Sequence, residues 1–360
     1  MKKLLLLFFL LLPFSISALE TSARSAILMD IDNNNILYEK NIHERRSVAS
    51  ISKIMTAIIA IESGKLDEKV TIGEEIKAAY GSGVYIQIGE ELTLKDLVYG
   101  LMLRSGNDAA LAIAKYVGGD VDTFVKMMNE KGKEIKMTNT TFNNPSGLDE
   151  DKGNYSTAYD MAILTSYAMR NDEYKKITGT KKYTLKTNKN TYMWINKNKL
   201  LYRYKYTTGG KTGFTEIARR TLVSTASKDN INLVVVTLND GNDWQDHQNL
   251  FEYGFNNFTS VKILSKGNIM IYDEKFYSDY NLYIKNDYYY LISNSEKNNL
   301  KIKYELYKKR KIKSGEKVGE TIIYYGDKII HNEPIYISKI KITERKNLIS
   351  IFKKWINSIW

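Results

Sequence analysis

The sequence predicts an α/β region over residues 19 to 258, followed by a small all-β region over 259 to 343. Three observations predict it. Up to Phe258, apolar stripes of helical period alternate with short apolar runs bounded by turn residues. Beyond Phe258 the helical period stops and short alternating segments take over, carrying 12 of the 27 Tyr. A chain of 360 residues is also long enough for one sizeable core and a second, smaller one.

The elements follow in order. Met1-Lys2-Lys3 is a short basic start, Leu4 to Phe14 is almost wholly apolar, and small residues follow at Ser15, Ser17 and Ala18. That is the layout of a secretory signal peptide over residues 1 to 18, too short for a bilayer span. Ser25 to Asp30 and Ile36 to Tyr38 flank Asn33-Asn34-Asn35, a hairpin whose Asn residues tolerate the left-handed backbone of its turn. Ile54, Ala57, Ile58 and Ile61 predict a helix from Ser50 to Gly64. Thr93-Leu94-Lys95-Asp96 reads as a capping box for a helix reaching Arg104. Asp108 to Val117 and Val121 to Ile135 are further helices. Strands are expected at Lys205 to Tyr206, Leu222 to Ala226 and Leu233 to Leu238, then a helix from Asp246 to Tyr253. Runs such as Ile322-Ile323-Tyr324-Tyr325 supply the β region. From Leu348 on, Leu348, Ile349, Ile351, Phe352, Trp355, Ile356, Ile359 and Trp360 share one face of a helix. With Arg345 and Lys346 beside it, residues 344 to 360 read as an amphipathic helix lying on a membrane surface.

Composition narrows the function. There is no cysteine, which removes thiol catalysis and Cys-based metal sites. His43, His247 and His331 are far apart in sequence, so a Ser-His-Asp triad or a His-rich metal site has little support. The net charge is +12, but the basic residues are interspersed with acids and bring no nucleic-acid motif with them. Anionic lipid or cell-wall polymer is the better use of that charge, and no nucleic-acid partner is expected.

The chemistry lies in three strings, Ser50-Ile51-Ser52-Lys53, Ser105-Gly106-Asn107 and Lys211-Thr212-Gly213. S-x-x-K alone is weak, since it also starts at Ser314, Ser338 and Ser350, whereas S-x-N and K-T-G each occur once. In this order they form a known signature of penicillin-binding proteins and class A β-lactamases. With their flanks, residues 25 to 258 resemble the D-alanyl-D-alanine carboxypeptidases, the low-molecular-mass penicillin-binding proteins. The matching stretches are RSVASISKIMTA (46 to 57), GLMLRSGNDAA (100 to 110), TTFNNPSGL (140 to 148), YSTAYDMA (155 to 162) and GGKTGFT (209 to 215). Two departures stand outside the motifs: Val48 where Pro is common and Asn154 where His is often found.

The resemblance implies a penicillin-recognising, β-lactamase-like transpeptidase fold, with an antiparallel sheet flanked by helices and a small all-β domain behind. It implies a serine-type peptidase without metal or organic cofactor, acting on peptidoglycan stem peptides that end in D-Ala-D-Ala and trapped covalently by β-lactams. The protein would sit on the outer face of the cytoplasmic membrane through residues 345 to 360. Ser50 is the nucleophile, and with no histidine at hand the amine of Lys53, one turn on, is its base. Lys53 must then be neutral, which burial and a second cation such as Lys211 would promote. Ser105 passes a proton to the leaving amine, and Asn107 fixes the substrate amide and orients Lys53. Lys211 and Thr212 hold the terminal carboxylate, and Gly213 lets the substrate backbone lie against its strand. By resemblance, the N–H groups of Ser50 and Phe214 form the oxyanion hole. A class A-like β-lactamase shares the trio but needs E-x-x-L-N, and the near match Glu150-Asp151-Lys152-Gly153-Asn154 has Gly in place of Leu. A non-catalytic envelope-binding protein would have no need of Ser50 and Lys53 together.

Overall fold

The computed structural model describes residues 20 to 339 apart from 150, 151, 273, 296 to 298, 310 and 311. The signal peptide, the amphipathic C-terminal helix, Ser350, and Glu150 with Asp151 of the near match all lie outside the described residues. The chain divides into two compact units, the first ending at Asn256 and the second beginning at Asn257, with the short stretch Asp229–Ile231 grouped with the second.

The first unit is built on a five-stranded sheet in the order Ile36–Lys40, Ser25–Asp30, Ile231–Leu238, Arg219–Lys228, Thr207–Thr215. Ser25–Asp30 runs antiparallel to Ile231–Leu238 and to Ile36–Lys40, and Arg219–Lys228 runs antiparallel to Thr207–Thr215. The fold is thus the α/β arrangement expected. Asn34, at φ 57°, makes the left-handed turn of the N-terminal hairpin. The Leu233 to Leu238 run is almost continuously apolar because both faces are covered and all of its residues are buried.

Helices Lys53–Glu62, Asn107–Gly118 and Val121–Glu134 agree with the apolar stripes that predict them. The capping box is present: the Thr93 side chain accepts from the Asp96 N–H, and the Asp96 carboxylate accepts from the Thr93 N–H. Its helix, Leu94–Tyr99, runs on as a wider π turn over Gly100–Arg104. The C-terminal helix of the unit is longer than expected, Asp243–Asn257.

One expectation fails. Lys205 and Tyr206 lie in a turn, and the strand begins at Thr207 and ends at Thr215. Gly209, Gly210 and Gly213 give this segment no periodicity, because its backbone is pressed against neighbours rather than packed through side chains.

The second unit is all β. It holds a five-stranded sheet in the order Gly267–Ile269, Tyr280–Ile284, Lys328–Lys339, Lys317–Tyr325, Leu300–Leu306, and a pair Phe258–Leu264 with Tyr288–Ser293. Its own core gathers Leu282, Ile284, Val318, Ile323, Ile335 and Ile337.

Candidate active site

Ser50 sits in a 3-10 turn, Ala49–Ser52, that feeds directly into helix Lys53–Glu62. The turn is held under strain. Ala49 has φ 48°, a left-handed value an alanine adopts only when its surroundings impose it. Thr221 Oγ1 donates to the Val48 carbonyl at 3.1 Å, and Ser52 Oγ donates to the Ala49 carbonyl at 2.9 Å. Gly147 backs the turn: at φ 80°, a Cβ there would lie 2.1 Å from the Ala49 oxygen, so only glycine fits.

Lys53, though a lysine, has no exposed surface. Its Nζ donates to Ser50 Oγ at 3.1 Å, to Asn107 Oδ1 at 2.6 Å, and to the Ser146 carbonyl. Burial lowers its pKa to about 7; Lys197 pushes the same way and Asp108 opposes. Asn107 opens helix Asn107–Gly118, and its Nδ2 donates to the Tyr80 carbonyl at 2.6 Å. Ser105 precedes it with φ 65°, a second strained residue at the site.

Lys211 comes from the edge strand and is also buried. Its Nζ donates to Ser105 Oγ at 2.9 Å and to the Thr212 carbonyl at 2.7 Å. Burial, then Lys53 and Lys197, push its pKa well below the ordinary lysine value. Gly213 lies so close to the Ala49–Ser52 turn that a Cβ there would be 3.0 Å from Ser50 N. Phe214, just beyond it, is exposed. A cavity of about 440 Å³ opens over these groups, lined by Ser50, Ser105, Thr212, Gly213 and Phe214 with Lys197 beside them.

The structure therefore brings all eight expected residues, Ser50, Lys53, Ser105, Asn107, Lys211, Thr212, Gly213 and Phe214, to one cleft. Of the other S-x-x-K strings, Ser314 lies in a turn and Ser338 on the last strand, both in the second unit, and Lys341 lies outside the described residues. Ser224 and His247 do pair, but both are wholly buried, the second imidazole nitrogen is bound to Thr237, and burial lowers the His247 pKa to about 3. No substrate reaches that pair. Among the described residues no group of three His, Cys, Asp or Glu could hold a metal.

Sequence reasoning misses four contributors. Lys197 is a further cation acting on Lys53, beside Lys211, whose own pKa is lowered by Lys53. Lys197 is half-buried and lies in NKNKLLY, a stretch with no motif. The Ser146 carbonyl, a backbone acceptor with no side-chain signature, lies within the TTFNNPSGL flank. Asp108 accepts from the N–H groups of Val84 (3.0 Å) and Tyr85 (2.6 Å), fixing the segment above the site. Asp149 accepts from Ser47 Oγ at 2.6 Å and from Thr215 Oγ1, tying the end of the edge strand to the approach to Ser50.

The two departures from the usual pattern meet. The Val48 N–H, which a proline would lack, donates to the Asn154 carbonyl at 3.1 Å. The Asn154 side chain accepts from the Asn143 and Asn144 N–H groups and donates to Ser52 Oγ and to the Asn144 carbonyl. An amide with both donor and acceptor atoms thus braces the 143 to 154 loop against the nucleophile turn.

Comparison with known proteins agrees with this geometry. Residues 13 to 242 match the model of a family described as D-alanyl-D-alanine carboxypeptidase, and residues 258 to 340 match the penicillin-binding protein 5 C-terminal domain. The chain is 39% identical over 226 residues to the D-alanyl-D-alanine carboxypeptidase DacF of Bacillus subtilis, covering 61% of this chain and 58% of that relative. It is 30% identical over 347 residues to DacD of Escherichia coli, covering 90% and 88%. The solved structure of penicillin binding protein 5 from Haemophilus influenzae superposes with a TM-score of 0.74 at 28% identity, over 89% of this chain and 97% of that one.

Proposed function

Because the chain belongs to the D-alanyl-D-alanine carboxypeptidase family, we propose that it removes the terminal D-alanine from peptidoglycan stem peptides through an acyl-enzyme on Ser50. The observation that carries this reading is the buried Lys53 amine, 3.1 Å from Ser50 Oγ with a pKa lowered to about 7. A neutral amine has two N–H bonds and one lone pair. As an ammonium Lys53 donates to all three neighbours; as the neutral amine it keeps its two N–H bonds to Asn107 Oδ1 and the Ser146 carbonyl, and the Ser50 contact reverses so that the hydroxyl donates to the lone pair.

The steps balance. Ser50 Oγ bonds to the penultimate D-Ala carbonyl carbon as its proton passes to Lys53, and charge on the carbonyl oxygen meets the N–H groups of Ser50 and Phe214. The peptide C–N bond breaks as the proton taken up by Lys53 passes by way of the Ser105 hydroxyl to the leaving amine, which leaves both side chains as they began. Water then bonds to the acyl carbon as its proton passes to Lys53, the ester bond to Ser50 breaks, and Lys53 returns that proton to Ser50 Oγ. Lys211 is the anchor for the terminal carboxylate. Its lowered pKa in the free site rises when that carboxylate arrives, so binding charges the anchor as it fills. Thr212 adds a hydroxyl, and Gly213 lets the substrate backbone run along the strand. β-Lactams acylate the same Ser50. Export by residues 1 to 18 and attachment by residues 345 to 360 place the protein on the outer face of the cytoplasmic membrane.

The test is direct. A labelled penicillin binds one to one and Ser50→Ala abolishes both labelling and release of D-alanine from a D-Ala-D-Ala peptide. Labelling that persists at another serine overturns the reading.

A further inference from the structure

Two connections of the second unit meet at one end of its sheet. Ile269 pairs with Leu282, so the 270 to 279 connection lies beyond the Tyr280 end of that strand. Tyr280 pairs with Lys339, from which the chain continues into residues 340 to 360. Lys317 pairs with Tyr336, which brings the 307 to 316 connection to the same end. Buried Tyr277 fastens the two together, since its hydroxyl donates to the Tyr307 carbonyl and accepts from the Lys309 N–H at 3.4 Å. Glu274 braces the first connection by accepting from the N–H groups of Phe276 (2.6 Å) and Tyr277 (3.2 Å).

What this end presents is unusual for a surface in water. Ile269 and Ile271 pack against the core, which turns Met270 and Tyr272 outward. At 80% and 88% exposure these are the two most exposed large hydrophobic side chains among the described residues. Phe276 and Tyr307 are exposed nearby in the same two connections. Single exposed apolar residues need no explanation; four in two connections tied at one end form a patch. In the second connection the described residues include Lys308, Lys309 and Lys313 against a single acid, Glu316, which is already paired with Lys309. Apolar and aromatic tips next to unneutralised lysines match the boundary between lipid chains and anionic headgroups.

We propose that this end of the second unit is itself a membrane-contact surface, with Met270, Tyr272 and Phe276 entering the interface of an anionic phospholipid bilayer and Lys308 and Lys313 meeting its headgroups. The proposal rests on the membrane-side location proposed above, but not on the 345 to 360 helix. Lys339, the last described residue before the amphipathic sequence, stands at this same end. Two weak contacts on one body bind far better than either alone, because the second forms without a new loss of translational freedom. The rigid tie through Tyr277 means that little loop ordering has to be offset on contact.

The absence of cysteine makes the test clean, since Tyr272→Cys gives a single labelling position. A polarity-sensitive fluorophore there, on the full chain, shifts to the blue on vesicles of phosphatidylglycerol and phosphatidylethanolamine. It is quenched by brominated acyl chains and does not respond to phosphatidylcholine in high salt. Met270→Ser with Tyr272→Ser weakens binding to the anionic vesicles about tenfold and leaves hydrolysis of a soluble peptide unchanged. A chain ending at Thr343 keeps weak, salt-sensitive binding that the same double substitution removes. A label that stays in water while the full chain is vesicle-bound, with the double variant binding as wild type, overturns the proposal. If the full chain binds no vesicles, the membrane location falls with it. If full and shortened chains bind alike and the double substitution removes both, the helix reading alone falls.

Discussion

Lysine is used in opposite ways in the two units. In the first, Lys53 and Lys211 are buried with no carboxylate of the described residues at ion-pair distance, and each is pushed toward neutrality by burial and by other cations. In the second, Lys262, Lys303 and Lys317 lie at the surface on Asp287, Glu305 and Glu320, and those hydrogen bonds raise their pKa values. The same amine is driven toward its neutral form where water and counter-charge are withheld and held as a cation where both are supplied. The contrast also carries an energetic asymmetry. A buried unpaired lysine costs stability, and the first unit bears that cost, together with strain at Ala49 and Ser105, at one place. Residues that break local rules concentrate where chemistry is proposed, and none of the second unit's ion pairs does so.

The largest expected effect comes from removing the neutral amine. Lys53→Arg keeps the charge but holds its proton, so acylation by penicillin falls by about a thousandfold or more while the fold persists, as circular dichroism would show. Lys53→Met asks the stability question. With a folded pKa of about 7 against 10.5 unfolded, the unfolded chain binds more protons between those values, so wild-type stability rises with pH across that window. Urea unfolding near pH 6.5 and pH 9 should show wild type gaining about 2 kcal/mol more than Lys53→Met. Equal gains would break the comparison.

A smaller effect should follow from the tie between strand and nucleophile turn. Asp149→Asn keeps the size but loses the charge that binds Ser47 and Thr215. We expect kcat to fall about tenfold with KM little changed, because the oxyanion donors drift rather than disappear. Lys197→Ala sharpens the electrostatic half. The acylation rate of wild type rises as pH passes about 7, and without Lys197 that limb moves to higher pH, costing about two- to threefold at neutrality. A rate lost uniformly at every pH would make Lys197 a substrate contact instead. The smallest effect is expected in the second unit, where Lys303→Gln should leave the urea midpoint of the full chain unmoved.

Much of this was legible in the residues, and the reasons differ by element. The Asn33-Asn34-Asn35 turn, the Thr93 capping box and the helix of Ile54, Ala57, Ile58 and Ile61 follow from local rules, since backbone conformation and side-chain period act over a few residues. Ser50, Lys53, Ser105, Asn107 and Lys211 were readable because acyl transfer near a carboxylate needs those groups, S-x-N and K-T-G each occur once, and only one of the four S-x-x-K strings carries the matching flanks. The Thr207–Thr215 strand was misplaced because its glycines erase the period that reveals strands. Lys197, Asp149, Asp108 and the Ser146 carbonyl had to await the folded chain. The Ser146 oxygen reaches Lys53 across 93 residues and Asp149 reaches Ser47 across 102, and no local pattern encodes such distances. The sequence by itself determined which chemical groups are present and which short elements carry them. Only the tertiary structure decided which lysine is stripped of water and set beside a second cation, because desolvation and charge depend on every atom packed around the amine.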